Sequence, residues 1–387
     1  MKHKLLALLC AAALAFGLAG CVLSTPDTVG SIGNVEISSG LYLLAQYNAY
    51  QSAAKLASSD QDSTNVKSFL KETITTDADS GETAAVSDYV AQKTQENLEL
   101  YAAVETRFDE LGGQLTEAEE AQADSYASQL MDQYGDTYKA NGIGLETIKR
   151  FERILLKSNT LMNMVYGADG ETPVSDSELT DYIENDLYYI NYVAIPLYNT
   201  TSYAFADDSQ KALMLELAQG AADSYNTTRP TTAAAQQTAF QSAVTEVLPD
   251  IYDVTATTDD PADANFSTSL LSDSDLDTSF TVDDSADIIR NLKVGEAAAV
   301  QYSTLAMMMA VRLDPLQMSS LDALRSQALV DMKSSELQDS LAEYGASLTH
   351  SLDSSAMNKL PAKKIVNNST NSCTCTRSNQ CTNCTTN

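Results

Sequence analysis

The chain has 387 residues, 44% of them hydrophobic, and sets 23 Lys+Arg against 53 Asp+Glu for a net charge of −30. That balance excludes nucleic acid as a partner, because binding a phosphate backbone needs a basic footprint. It also excludes docking on anionic lipid through the protein surface, and it fits an acidic shell that keeps a protein soluble. The length corresponds to two or three units.

In chain order, MKHK supplies a positive start and LLALLCAAALAFG an apolar stretch too short to span a bilayer comfortably. This is the pattern of a secretory signal peptide. It ends in LAGC at Leu18–Cys21, which resembles a bacterial lipobox. The resemblance implies a signal peptide over 1–20, cleavage before Cys21, and a lipid on its sulfur. Residues 21–32 then form a lipidated tether. The mature chain is expected outside the cytoplasmic membrane, anchored to it through acyl chains, each buried CH₂ contributing about 0.8 kcal/mol. Cys10 lies in the signal, and residues 22–372 contain no cysteine.

From residue 33 the spacing predicts a strand, then an amphipathic helix capped by Ser38 or Ser39. A polar stretch over 60–82 holds a short apolar piece at Val66–Leu70. Helical periodicity runs from Ala85 to Gly112, breaking at Gly112-Gly113. Thr116 followed by Glu119 forms a capping box for a helix to about Tyr138, and LETIKRFERILLKSNTLMNMVYG is strongly periodic. Ser175 and Glu178 form a second capping box. LYYINYVAIPL at 187–197 reads as a strand ending at a proline. Helices are predicted over 205–228 and 233–247, and an Asp/Ser/Thr-rich loop over 252–284. DIIRNLKVGEAAAVQYSTLAMMMAVRLDP gives a short helix, a turn and two strands ending at Asp314-Pro315, and helical spacing resumes from 318 to about 348. Residues 361–387 carry Lys363, Lys364 and a Ser/Thr/Asn/Cys-rich tail predicted to be disordered.

Four of these stretches carry a resemblance to extracytoplasmic foldases of the PrsA/SurA type with a parvulin-like peptidyl-prolyl isomerase domain. They are VGSIGNVEISSGLYLL, the helical run from LGGQLTEAEE to FERILL, VSDSELTDYIENDLYYINYVAIPL, and LKVGEAAAVQYSTLAMMMAVRLDP. The resemblance implies an α+β fold. A mainly helical chaperone domain spans 33–187 and is completed by a helix at 318–350, with a small parvulin-like α+β domain inserted at 188–315. The implied partners are unfolded or partly folded exported polypeptides.

Catalytic parvulins carry a histidine at the end of the first strand and another in the last. Those positions fall here at Tyr192 or Val193 and near Met308. The sequence has two histidines, His3 in the signal and His350 placed at the end of the last helix. The expected chaperone therefore lacks the isomerase constellation, and no catalytic residue is assigned. Tyr192, Val193, Met307, Met308 and Met309 remain as core filling or as an adaptable apolar surface for clients. The alternatives are an active prolyl isomerase, or a non-chaperone surface lipoprotein with a dedicated partner.

Two other clusters have donor atoms of the kind that hold metals. Asp273, Asp275, Asp277 and Asp284 have the look of a calcium loop, but Thr278 stands where its glycine belongs; a solvated acidic loop is the expectation. Cys373, Cys375, Cys381 and Cys384 offer four thiolates, yet outside the cell disulfides or mixed thiols are favoured over zinc. No metal or cofactor is expected, and no nucleotide-binding or hydrolase motif occurs.

Overall fold

Thr28–Ile32 (β1) and Val35–Ser38 (β2) open the fold as an antiparallel hairpin turning at Gly33, whose φ of +56° favours a residue without Cβ. The computed structural model describes residues 26–257 and 265–367. Contacts divide the chain into two units: 1–161 with 336–387, and Met162–Ser335.

In the first unit Ser38 caps helix α1 (Ser39–Lys55), its Oγ accepting the Leu41 N–H at 3.2 Å. The apolar piece at 66–70 becomes a single turn, α2 (Val66–Phe69), followed by a small hairpin, β3 (Thr73–Asp77) and β4 (Glu82–Ala85). Then come α3 (Val86–Glu110), α4 (Glu117–Ala140) and α5 (Leu145–Tyr166). The Thr116–Glu119 capping box is present on α4. Tyr50, Phe69, Ile74, Val86 and Val90 form one core cluster, with the Tyr50 and Phe69 rings edge to face at 5.9 Å. Leu44, Ala127, Ile143 and Ile148 form another. Arg150 pairs with Glu105 at 2.7 Å, and Arg153 with Glu120 and Asp124. Partly exposed pairs of this kind contribute about 0–1 kcal/mol each, so burial of the apolar faces holds the unit.

The second unit begins inside α5 and takes in α6 (Asp176–Asn185), which carries the Ser175–Glu178 capping box. It continues with β5 (Tyr188–Pro196), α7 (Asp208–Thr228) and α8 (Ala233–Val254). α8 runs past the predicted end at 247 and through Pro249. Buried Leu248 and Ile251 anchor that last stretch, offsetting an interior proline's cost of about 3 kcal/mol. The predicted loop at 252–284 holds instead β6 (Ser267–Leu271) and α9 (Asp273–Ser279). α10 (Ser285–Arg290), β7 (Ala297–Gln301), β8 (Ala306–Arg312) and α11 (Pro315–Met318) follow, then α12 (Leu321–Ser347), inside which the chain returns to the first unit.

The four strands form one antiparallel sheet in the order β6-β5-β8-β7. Side chains alternate across it. One face packs Val193, Ile195, Met307 and Met309 against Met214, Phe240 and Val244 of α7 and α8. The other packs Ile190, Met308 and Ala310 against Leu276 of α9 and Ile289 of α10. Buried Asn191 is satisfied: its amide donates to Ser267 O at 2.9 Å and Thr268 Oγ1 at 3.1 Å, and its oxygen accepts from Gln241 at 3.1 Å.

Back in the first unit, His350 lies in a strand and not at a helix end. β9 (His350–Leu352) pairs antiparallel with β1, completing the sheet β2-β1-β9. Gly30 is needed there: its φ is +119°, and a Cβ would stand 2.2 Å from Ser351 O. After α13 (Ser354–Met357) comes a 3₁₀ turn at Ala362–Lys364. Residues 361–367, predicted as part of a disordered tail, are packed. Ala362 and Ile365 rest on the Tyr50–Phe69 cluster, and Asn141 exchanges two 2.9 Å hydrogen bonds with Val366. The signal peptide, Cys21 and the four tail cysteines lie outside the described residues.

Candidate functional site

The strand positions singled out in the sequence do meet. β5 and β8 are neighbours, and the register places Tyr192 opposite Ala310, Val193 opposite Met309, and Ala194 opposite Met308. They do not form a surface. Val193, Met307 and Met309 point into the α7/α8 face at 2%, 0% and 0% exposure, and Met308 into the opposite face at 5%. Four of the five positions are thus core filling, one of the two roles their sequence allowed, because both sheet faces are covered by helices. Tyr192 alone is half-buried, on the α9/α10 face beside Tyr302 and Phe280. No imidazole, thiol or carboxylate stands among them. His350 belongs to the other unit, where its Nε2 lies 3.4 Å from Glu99 Oε1.

The acidic run is organised around an arginine. Arg290 of α10 pairs with Asp273 at 2.8 Å, with Asp287 at 2.8 Å, and with Asp277. These hydrogen bonds raise the guanidinium further, and Arg290 holds the Asp273 carboxyl below the usual carboxylate range. Asp275 is used as the reciprocal cap of Ser272 on α9, and Asp284 adopts a left-handed backbone at φ 60°. Among the described residues no three His, Cys, Asp or Glu side chains are grouped to hold a metal.

The feature that sequence reading missed lies just beyond β5. Residues 198–205, YNTTSYAF, form a loop displaying three rings. Tyr203 is 72% exposed and Phe205 70%. The Tyr198 and Tyr203 rings stack at 6.3 Å, and Tyr198 meets Phe205 edge to face at 6.2 Å. Leu305, half-exposed, sits at the same end of the sheet, its carbonyl accepting from the Leu197 N–H at 2.8 Å.

This loop is fixed from below by Asn199, which is buried. Its amide donates to the carbonyls of Thr255 (2.9 Å) and Ala256 (2.7 Å), and its oxygen accepts from the N–H groups of Thr201 (3.0 Å) and Ser202 (2.7 Å). A backbone bridge joins Tyr198 to Phe205, and the Ala206 N–H donates to Leu197 O at 2.9 Å. The Asp207–Gln210 capping box starts α7 immediately afterwards. Tyr203 itself has φ +57°, a conformation that costs a non-glycine residue about 1–3 kcal/mol and survives only where its surroundings over-determine it. Rigid rings held in water offer apolar area at low entropic cost, and their faces attract ammonium and guanidinium groups. The signal in the sequence was three aromatics in a segment with neither period 2 nor period 3.6.

No family model matches the chain, and no curated protein sequence matches it. Among solved structures it is similar to foldase protein PrsA from Streptococcus pneumoniae, at 14% identity over 73% of this chain and 97% of that one, with a TM-score of 0.36. It is similar to PrsA from Lactococcus lactis at 12% identity, over 88% of this chain and 99% of that one, with a TM-score of 0.33. PrsA from Bacillus subtilis aligns at 13% identity over 75% and 93%, with a TM-score of 0.28. Among the described residues no helix is long and apolar enough to cross a membrane. The chain is an α+β protein, and among the described residues its most exposed aromatic side chains, Tyr203 and Phe205, lie on a loop at the end of its four-stranded sheet.

Proposed function

We propose that this chain is an extracytoplasmic chaperone of the PrsA/SurA type, tethered through lipid on Cys21, that holds exported polypeptides before they fold and does not catalyse prolyl isomerisation. The observation that carries the reading is the Tyr198–Tyr203–Phe205 cluster, with Tyr203 and Phe205 exposed and Tyr198 half-buried beneath them, on a loop that buried Asn199 pins in place. A folded protein gains nothing from keeping such rings in water. A protein that captures apolar and basic segments of unfolded chains does. The net charge of −30 draws basic segments toward it, and the rings accept them without demanding a sequence.

The second unit fits a degenerate parvulin-like domain. Its first strand, β5, and its last, β8, lie side by side, so the positions where isomerases of the family carry histidines are neighbours at Tyr192/Val193 and Met308. Rotation about a prolyl amide must overcome resonance, a barrier of about 18–20 kcal/mol. Lowering it takes directed hydrogen bonds in a desolvated pocket. The core side chains here supply none.

The test is the refolding of a small protein limited by a prolyl isomerisation, with the soluble chain from residue 22 added. The expected result is an unchanged slow rate at substoichiometric amounts, together with suppressed aggregation near equimolar ratio. A rate that rises catalytically would restore the isomerase. An absence of both effects would favour a lipoprotein with one dedicated partner.

A further inference from the structure

The sequence contains one Asn-Gly step, Asn141-Gly142, and it falls in the turn between α4 and α5. Asparagine before glycine is chemically labile, because glycine has no side chain to shield its backbone nitrogen from the neighbouring side-chain carbonyl. Here each group that such a reaction needs is tied. Asn141 is 8% exposed, and its Nδ2 donates to Thr137 O and Val366 O, both at 2.9 Å. Its Oδ1 accepts the Val366 N–H at 2.9 Å. The Gly142 N–H donates to Lys139 O at 3.0 Å, closing the end of α4. Thr137 and Lys139 belong to α4 itself. Val366 does not: it arrives from the segment after α13, 225 residues away in sequence. That segment is seated largely by polar ties. Gln46 donates to Leu360 O at 3.3 Å, Gln51 to Asn367 Oδ1 at 3.1 Å, and Asn367 to Ser63 O at 3.0 Å. Between it and α1 a cavity of about 480 Å³ is left, lined by Leu43, Ala140, Leu360 and Ile365, and Gln46 Oε1 is buried nearby without a donor. Unfilled space and an unpaired acceptor weaken the seat, so this segment opens at lower cost than the unit unfolds.

We propose that Asn141 is a deamidation site gated by the 361–367 segment, and that the reaction, once made, keeps that segment from docking again. With Val366 detached, the asparagine side chain is free to turn. The Gly142 nitrogen gives up its proton and bonds to Asn141 Cγ, the Cγ–Nδ2 bond breaks, and ammonia leaves with the proton. Water then opens the resulting succinimide at either carbonyl, giving aspartate or isoaspartate. Neither product fits the seat. An aspartate carboxylate donates nothing, so its oxygens would face the Thr137 and Val366 carbonyls that now accept from Nδ2. Its charge would also stand at the C-terminus of α4, the negative end of the helix dipole. Isoaspartate would add a methylene to the backbone of a turn in which Gly142 already holds φ +75°. Opening is reversible and the chemistry is not, so the segment is released in one direction. Nothing in this chemistry depends on the aromatic loop, which belongs to the other unit.

The test is incubation of the chain from residue 22 at mildly alkaline pH, then tryptic digestion and mass spectrometry of the peptide Ala140–Lys149, which gains mass as its amide becomes an acid. The same chain held in urea gives the rate without the seat. The folded chain is expected to react at least tenfold slower than the chain in urea. Val366→Pro removes the N–H that Asn141 Oδ1 accepts and should raise the folded rate several-fold. Val366→Ala keeps both backbone groups and should leave the rate within twofold of the parent. In Asn141→Asp, the Ile365 and Val366 amides should exchange with solvent at least tenfold faster while the rest of the first unit keeps its protection. Circular dichroism checks that each variant is folded; should Val366→Pro fail, the exchange rates in Asn141→Asp decide. A folded rate equal to that in urea, a Val366→Pro rate equal to the parent's, or unchanged exchange in Asn141→Asp would overturn the proposal.

Discussion

β5 and the loop it runs into are consecutive in sequence and opposite in fate. From Ile190 to Leu197 every second side chain is sealed under α7 and α8, and Ile190 is sealed on the other face. Beyond it Tyr203 and Phe205 stand in water, packed on a half-buried Tyr198. The family resemblance drew attention to the first stretch, and the structure moves the candidate site to the second. Apolar character alone does not mark a binding surface. What distinguishes the loop is that polar groups beneath it, above all Asn199, hold hydrophobic ones up.

That contrast can be broken or sharpened by substitution. The largest effect belongs to the sheet. Met309→Ala removes a fully buried side chain and should destabilise by about 2–5 kcal/mol, read as a lower urea midpoint by circular dichroism with the slope unchanged. A midpoint left in place would mean that the methionines are not core. Next comes Asn199→Ala, which leaves two carbonyls and two N–H groups without their partner. The expected cost is about 1–3 kcal/mol, with faster amide exchange at Thr201 and Ser202. Tyr203→Gly relieves a positive φ. It should leave stability unchanged or raise it by up to about 1 kcal/mol while weakening client holding, which a purely structural tyrosine would not do.

The smallest effect is electrostatic. Arg290 holds the Asp273 carboxyl below its ordinary value of 3.8 by hydrogen bonding. A folded pKa below the unfolded one gives stability that is present above the ordinary carboxylate range and lost as pH falls through the folded value. Arg290→Gln should therefore lower stability slightly at neutral pH, and the difference should shrink below about pH 4. The aspartates are largely exposed, so solvent keeps the effect small. Parallel pH profiles for the two proteins would contradict this.

The helices were legible because their signals are local. Ser38, Thr116 and Ser175 each cap where the spacing placed them. The two strands rich in β-branched and methionine residues were legible as well. β6 was not: Ser-Thr-Ser-Leu-Leu is too short and polar to read as a strand, and it forms because the edge of β5 offers partners from Tyr188 to Tyr192. Nor could spacing show that Asp273 and Asp277 of α9 would join Asp287 on Arg290, a pairing made by the turn between α9 and α10. The candidate loop was hidden for a related reason. Its exposure is set by Asn199 reaching the end of α8, a contact more than fifty residues away in sequence.

The most direct test of the central claim is client holding by the paired Y203S and F205S substitutions. Both side chains are more than two-thirds exposed, so stability should change by no more than about 0.5 kcal/mol. The chain from residue 22 and its variant would be compared at equal molar ratios over an aggregating, partly unfolded protein. The account predicts that the variant, with its circular dichroism and urea midpoint unchanged, needs several-fold more protein for the same suppression. Equal suppression by the two would contradict it and return the clients to another surface of the molecule.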